Sequence, residues 1–394
     1  MPERKLWLLV VLLSHSALPA TYATTSVGTG TAAGSDGRPG LDLGALIGGD
    51  ADVSGSGFAM ADAPRAFDFP ADHGAHPDFR SEWWYLVSHL EAADGRDYGV
   101  QFTLFRQALA PPAPDAADSD SSHWRTRQVW MAHLAVSGPD GVHRAGERFA
   151  RGAMGLAGVR AEPFAAWLED WRLESVHPGE MFPLRLVARA DDRQLPFEID
   201  LEFDAARGPI LQGDRGLSRK SERAGNASYY YSYTRMGARG NIRLDGEEVA
   251  VEGLGWMDRE WSTSVLDPGQ VGWDWFALHL DDGRDLMFFQ IRRDDGSIDG
   301  ASGGVVVTED GVSEAITRAD FELEPLASWQ DETGASWPVS WHLEVPSLGI
   351  KGRVEALHAD QLNRLALRYW EGRVCLDGPV AGCGYLEMTG YLAP

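Results

Sequence analysis

The sequence predicts an all-β protein made of antiparallel barrel or sandwich domains. Three observations carry that prediction: regularly spaced Asp-Gly turns, short alternating runs rich in aromatic and β-branched residues, and a duplicated hairpin. Asp-Gly pairs begin at Asp94, Asp140, Asp245, Asp282, Asp295, Asp310 and Asp377. Each lies beside an apolar or alternating segment, and Asp-Gly suits tight hairpins because both residues tolerate positive φ. Many short strands with turn signals and no alternating helices point to a barrel or sandwich.

Taken in order, Arg4 and Lys5 precede the apolar run Leu6–Leu13, followed by small residues at Ala20 and Ala23. This is the pattern of a secretory signal peptide over 1–23, too short to span a bilayer. The expected location is therefore the periplasm or the exterior. Residues 24–63 are dominated by Gly, Ser, Thr, Ala and Asp and read as a disordered linker. Strands are expected at Glu82–Leu90, Tyr98–Arg106, Gln128–Ser137, Pro183–Arg189, Phe197–Phe203 and Ser228–Met236. Others are expected at Trp273–Leu280, Leu286–Arg292, Gly304–Thr308 and Trp337–Val345. No long stretch of helical period competes with these strands; Phe164–Glu174 and His358–Leu367 are at best short helices, and a long polar loop is expected over Ala108–Ser122.

The duplication sets the domain count. Trp83-Trp84-Tyr85-Leu86-Val87-Ser88-His89-Leu90 leads into Asp94-Gly95-Arg96-Asp97, and Trp273-Asp274-Trp275-Phe276-Ala277-Leu278-His279-Leu280 leads into Asp282-Gly283-Arg284-Asp285. Each copy opens one domain, which places domains at 64–255 and 256–394. Strand alternation puts Trp83, Tyr85 and His89 on one face and Glu82 and Trp84 on the other. Trp273, Trp275 and His279 share a face in the second copy, opposite Asp274 and Phe276.

Charge narrows the function. The chain has 35 basic and 59 acidic residues, a net charge of −24, and no basic run. Nucleic-acid partners are excluded on that ground. The two cysteines, Cys375 and Cys383, are too few for a disulfide scaffold or a closed cysteine zinc site. They flank an Asp-Gly-Pro turn and form either a hairpin disulfide or a pair of buried thiols. No Gly-x-Ser-x-Gly elbow or His-Glu-x-x-His motif is present, so serine and zinc hydrolysis find no support. No metal or cofactor is expected. The 15 tryptophans are the compositional oddity. Six of them, Trp83, Trp84, Trp256, Trp261, Trp273 and Trp275, fall in the repeated hairpin and the segment joining the two domains.

Several blocks together resemble the lipocalin-like proteins grouped with carotenoid 1,2-hydratases. They are Phe79–Tyr85, Leu211–Lys220, Asn226–Ser232, Trp256–Trp261 and the closing Gly384–Tyr391. The resemblance covers about residues 65 to 392 and is closest to an exported bacterial branch known as predicted secreted hydrolases. It implies two lipocalin-like β-barrel domains. In the hydratases the segment matching Asp258–Trp261 reads Asp-His-Asn-Trp, with a tyrosine and an acid on a following strand. Here Arg259 and Glu260 fill the two middle positions, and Leu286–Gln290 offers no acid.

Adding water to an isolated alkene needs a strong acid to protonate carbon and aromatic faces to stabilise a cation. Asp258, Glu260 and Glu82 are the candidate acids, the alternative being carboxylates locked by arginine. Trp84, Tyr229, Tyr231, Trp256, Trp261, Trp273 and Trp275 are the candidate ligand-binding residues. Three functions are weighed: carriage of an apolar, isoprenoid or lipid-like ligand; a hydratase, lyase or isomerase on the same pocket; and a non-catalytic partner of an envelope export system. A monomer or weak dimer is expected. A carboxyl free of salt bridges in an apolar cavity favours the enzyme.

Overall fold

A computed structural model describes residues 56–112, 126–192, 195–264 and 266–391. The expected signal peptide, most of the linker and most of the Ala108–Ser122 loop lie outside the described residues. The rest is all-β. Among the described residues the only helical segments are short 3-10 turns.

Two antiparallel sheets account for the strands. In spatial order the first runs His143–Arg151, Gln128–Ser137, Asp97–Ala108, Ser81–Ala92, Glu247–Ser262, Ala227–Leu244, Leu195–Ala205 and Leu184–Asp192, then continues through three short strands. It curls until its two ends meet. A side chain at Gly146 would strike the Cβ of Ala190 at 2.6 Å, so glycine is what lets the first strand in that order close onto the eighth. The second sheet centres on Asp285–Arg293, Gln270–Leu280, Gly382–Met388 and Arg368–Asp377. In each sheet the opening strand of the repeat pairs with the following hairpin strand and with a strand from late in that half.

The seven Asp-Gly pairs named above fall at the ends of, or between, paired strands. Both residues take positive φ only at Asp140-Gly141 and Asp245-Gly246. The second is a two-residue hairpin that turns the long pair Ala227–Leu244 and Glu247–Ser262.

Four expectations need correction. The segment Phe164–Glu174 is not a helix but the hairpin Ala165–Leu168 and Trp171–Ser175, reversed where Glu169 takes a φ of 58°. Its apolar residues meet the core by alternation, with Trp171 and Leu173 buried. The segment His358–Leu367 holds the short strand Leu362–Arg364, not a helix. The expected boundary between Gly255 and Trp256 falls inside Glu247–Ser262, which stays in the first sheet throughout, so the crossing to the second follows Ser262. The linker also ends earlier than residue 63: Ala61 is buried, and the Ala59 amide donates to the Asp78 carbonyl at 2.9 Å.

Alternation along the repeated strands sorts their residues into layers. Trp84, Leu86 and Leu90 enter the core of the first sheet, while Phe276, Leu278 and Leu280 enter that of the second. The other faces meet each other: Tyr85, Val87, Trp275 and Ala277 belong to one shared apolar cluster with Trp256, Tyr230 and Tyr385. The duplicated hairpins therefore form the two sides of the domain interface. Cys375 and Cys383 are cross-strand partners joined in a disulfide at the outer hairpin of the second domain.

Candidate active site

A cleft, open in part to solvent, lies between the two sheets. The first domain supplies Trp83, Tyr85, Phe105, Tyr230, Asp258 and Glu260, and the second supplies Trp273, Trp275, Phe289, Ile291 and Glu387, with Lys220 and Leu266 reaching in from connecting segments. The walls are mostly apolar with a few convergent polar groups, the ordinary character of a small-molecule site.

Asp258 is set in this wall by the strand Glu247–Ser262, whose even-numbered residues Trp256, Asp258 and Glu260 face the cleft side. Its carboxylate accepts hydrogen bonds from Tyr230 Oη at 2.6 Å, Ser232 Oγ at 2.5 Å and Trp256 Nε1 at 2.7 Å. Ser232 stands directly opposite Asp258 on the neighbouring strand. Among the described residues no Lys, Arg or His forms an ion pair with Asp258. Burial therefore dominates, and it raises the carboxyl to about 7 despite three hydrogen bonds that favour the anion.

Glu387, on the wall contributed by the second domain, has the same character. It accepts from Trp273 Nε1 at 2.7 Å and is likewise pushed up to about 7, by burial and then by the negative charges of Asp258 and Glu260. Glu371 lies directly across the strand pair from Glu387, buried, and accepts from Tyr85 Oη at 2.6 Å. Two like charges facing each other in a buried sheet are unfavourable. Burial and the negative charge of Glu387 hold Glu371 well above the usual carboxylate range.

Glu260 differs. It accepts from Ser228 and is paired with Lys220 Nζ at 3.0 Å. That ammonium also lies 5.0 Å from the Phe289 ring and 5.5 Å from the Tyr230 ring. The Leu211–Lys220 segment thus delivers one cation to the rim of the cleft. Ser218 is within 3.2 Å of Lys220 but does not line the cleft, and the ammonium is already held by Glu260.

Glu82 is not at the cleft wall with Asp258. It lies in the first core between Arg106 and Arg259, fully buried, and also accepts from the His76 amide. The two guanidinium groups outweigh the cost of burial and hold its carboxyl below the usual range. Arg259 itself stacks on Trp84, 3.9 Å from the ring centroid. The second domain has a partial counterpart: Asp274 is buried with Arg292 at 3.3 Å, and Arg292 lies 3.7 Å from the Tyr391 ring, but burial outweighs this single guanidinium and raises the Asp274 carboxyl. The acid on the core face of each repeat is thus paired with arginine.

Of the expected ligand-binding residues, Trp273 and Trp275 line the cleft and Trp256 supports Asp258 from behind. Trp84, Tyr229, Tyr231 and Trp261 do not line it; they occupy the first core. Tyr231 Oη meets His73 Nδ1 at 2.6 Å, and Tyr229 Oη donates to the Ala63 carbonyl at 2.8 Å. The reason is alternation: Tyr230 and Ser232, not the odd-numbered tyrosines, share the face of Asp258. Among the described residues no group of three or more His, Cys, Asp or Glu is placed to hold a metal ion.

The model of one protein family matches residues 60–391, and its description is AttH-like. The chain belongs to the AttH-like family. A solved structure of an AttH candidate from Nitrosomonas europaea is 33% identical, covers 85% of this chain and 100% of its own, and superposes with a TM-score of 0.73. Kievitone hydratase from Nectria haematococca shares the fold, with a TM-score of 0.58 at 13% identity over 85% of this chain and 98% of its own. A curated relative, the dehydratase asqC of Emericella nidulans, is 25% identical over 201 residues. That match takes in 49% of this chain and spans about half the length of the relative, 50%. The lipocalin-like reading of the sequence is thereby established together with the two-sheet architecture.

Proposed function

We propose that this AttH-like protein is a hydro-lyase, adding water to or removing it from an apolar alkene-bearing molecule held in the interdomain cleft. The observation that carries this reading is Asp258: a buried carboxyl in an aromatic cleft, with three hydrogen-bond donors and, among the described residues, no paired cation. A carboxylate meant only to stabilise the fold is better served by an arginine, as Glu82 and Asp274 are. A carboxyl raised to about 7 holds its proton near neutral pH and can still give it up.

In the hydration direction the Asp258 carboxylic acid delivers its proton to one alkene carbon, forming a C–H bond and a cation at the other. The faces of Trp83, Trp273 and Trp275 flank that charge. A water molecule adds to the cation, and the proton it sheds passes to ionised Glu387. Return of that proton to Asp258 through solvent restores the starting state. Dehydration runs the same steps backwards. Support from relatives is of the same class, since one curated relative is a dehydratase and one protein of the same fold is a hydratase.

The test is incubation of the purified protein with a panel of apolar tertiary alcohols, β-hydroxy ketones and their alkenes in water enriched in oxygen-18. Expected is interconversion of at least one pair with the label in the alcohol, absent in Asp258→Asn. Turnover that is the same in the wild type and Asp258→Asn would refute the role of Asp258.

A second reading, carriage of an apolar ligand without chemistry, is supported by the mostly apolar cleft walls alone. It predicts equal ligand retention by the wild type and Asp258→Asn, with no labelled product. For either reading we place the protein outside the cytoplasm. The expected signal peptide supports this, and so does the Cys375–Cys383 disulfide, since such bonds persist in oxidising compartments.

A further inference from the structure

The cleft is unusual in its charge balance. Asp258, Glu260 and Glu387 all line it, and Lys220 is the one basic side chain among its lining residues. A fourth carboxyl, Glu371, stands across the strand pair from Glu387 and accepts from Tyr85, itself a lining residue.

The rest of the protein treats its buried acids differently. Asp72, Glu82, Asp274, Asp285, Asp299 and Asp331 each pair with an arginine, and Glu260 pairs with Lys220. Asp258 and Glu371 complete the set of buried acids among the described residues. Neither of these, nor part-buried Glu387, forms an ion pair with another described side chain. A carboxylate taken out of water needs a partner charge or must keep its proton. Both domains thus bring carboxyls to one cleft without matching cations, in a chain whose net charge of −24 already draws cations toward it.

The walls indicate which kind of cation fits. Trp83 and Trp273 occupy equivalent positions in the two repeats, both line the cleft, and both keep part of their surface open. Trp273 Nε1 donates to Glu387 at 2.7 Å, so an indole and a carboxylate adjoin. Rings beside a carboxylate suit a cation with a hydrocarbon coat; a hydrated metal ion would want further oxygens in their place. Lys220 already shows the pattern within the chain, its ammonium lying between Glu260 and the rings of Phe289 and Tyr230.

We propose that the molecule held in the cleft carries an organic ammonium group, seated against the indole of Trp273 and the carboxylate of Glu387. This rests on the hydro-lyase reading only in placing the alkene-bearing part of that molecule at Asp258. A cation beside Glu387 also favours its ionised form, the form that takes the proton shed by water.

The experiment titrates the full chain with benzyltrimethylammonium and with its uncharged carbon isostere neopentylbenzene, followed by tryptophan fluorescence. The two probes share a shape and differ in charge. Glu387→Gln is expected to raise the dissociation constant of the cation on the order of tenfold and to leave that of the isostere within about twofold. Trp273→Phe, which keeps a ring with a weaker face, should weaken the cation more than the isostere. Should Glu387→Gln not fold, Trp273→Phe decides alone. Failure of the cation to bind the wild type, or equal changes for cation and isostere in the variants, overturns the proposal. Asp258→Asn should keep the cation selective for Glu387, so unchanged turnover in that variant would sink the hydro-lyase reading and leave this result standing. Loss of charge selectivity would sink this proposal and leave any turnover at Asp258 standing.

Discussion

Tyr85 of the first repeat stands edge-on to Trp275 of the second, ring centroids 5.2 Å apart at 83°. These are equivalent positions in the two copies, and so are His89 and His279, which share a hydrogen bond of 2.9 Å across the same interface. Equivalent residues that touch each other define a local two-fold relation. The duplication therefore did more than double the fold: it placed the aromatic faces of both copies on one cleft.

Asp258→Asn should separate activity from stability. Turnover is expected to fall on the order of 10²–10⁴-fold, the usual worth of a positioned general acid. Stability should move the other way. The folded carboxyl sits at about 7 against an ordinary value of 3.8, so between those pH values the folded state holds the proton that the unfolded state has lost. The Asp258 contribution to wild-type stability then declines as pH rises through this window, by at most about 1.4 kcal/mol per pH unit, and the asparagine variant lacks that contribution. Urea unfolding at pH 5 and pH 8 checks it; equal slopes in the two proteins would count against a neutral buried Asp258.

Tyr230→Phe removes a donor that favours the Asp258 anion. The carboxyl should rise further, and the alkaline limb of the hydration pH–rate profile should shift upward, because the acid form persists to higher pH. A merely structural tyrosine would change amplitude without moving the limb.

Arg259→Leu should cost on the order of 3–5 kcal/mol, because it leaves Glu82 buried with one guanidinium in place of two. Turnover per folded molecule should change far less than in Asp258→Asn. Chemical denaturation combined with active-site titration distinguishes the two effects.

Acid should loosen the interface. Burial lowers His133 to about 3 and holds His279 well below its usual 6.5. At these two sites the unfolded state binds more protons from pH 6.5 downward, so their contribution to stability falls as pH drops toward 4, opposite in sign to that of Asp258. His279→Gln should flatten that part of a melting-temperature profile, whereas an unchanged profile would show that burial of neutral His279 does not contribute to the acid sensitivity.

The architecture was legible in the sequence because its signals are local. Asp-Gly turns, alternation and the repeat each act within a dozen residues, and they located strands such as Gln128–Ser137 to the residue. The two faces of each repeat were legible too, since the alternating period is two. Which tyrosines meet Asp258 was not. That depends on the register between Ala227–Leu244 and Glu247–Ser262, and a shift of one residue would exchange Tyr229 and Tyr231 for Tyr230. Glu82 illustrates the same limit: beside Trp84 it reads as an acid in an aromatic pocket, and only the folded chain shows Arg106 and Arg259 on either side. Glu387 stands in the closing block of family-like residues, but no local pattern announces that it faces a cleft shared with another domain.

The pairing of early with late strands also has a temporal side. Arg259 is 176 residues from the Trp83 carbonyl it touches, and Glu387 is 114 residues from the Trp273 indole that holds it. Such distant pairings are slow to form, because chain closure must precede any reward from contact. The cleft is therefore among the last features assembled as the polypeptide emerges, and each half offers an unpaired strand to its surroundings until its late partner arrives.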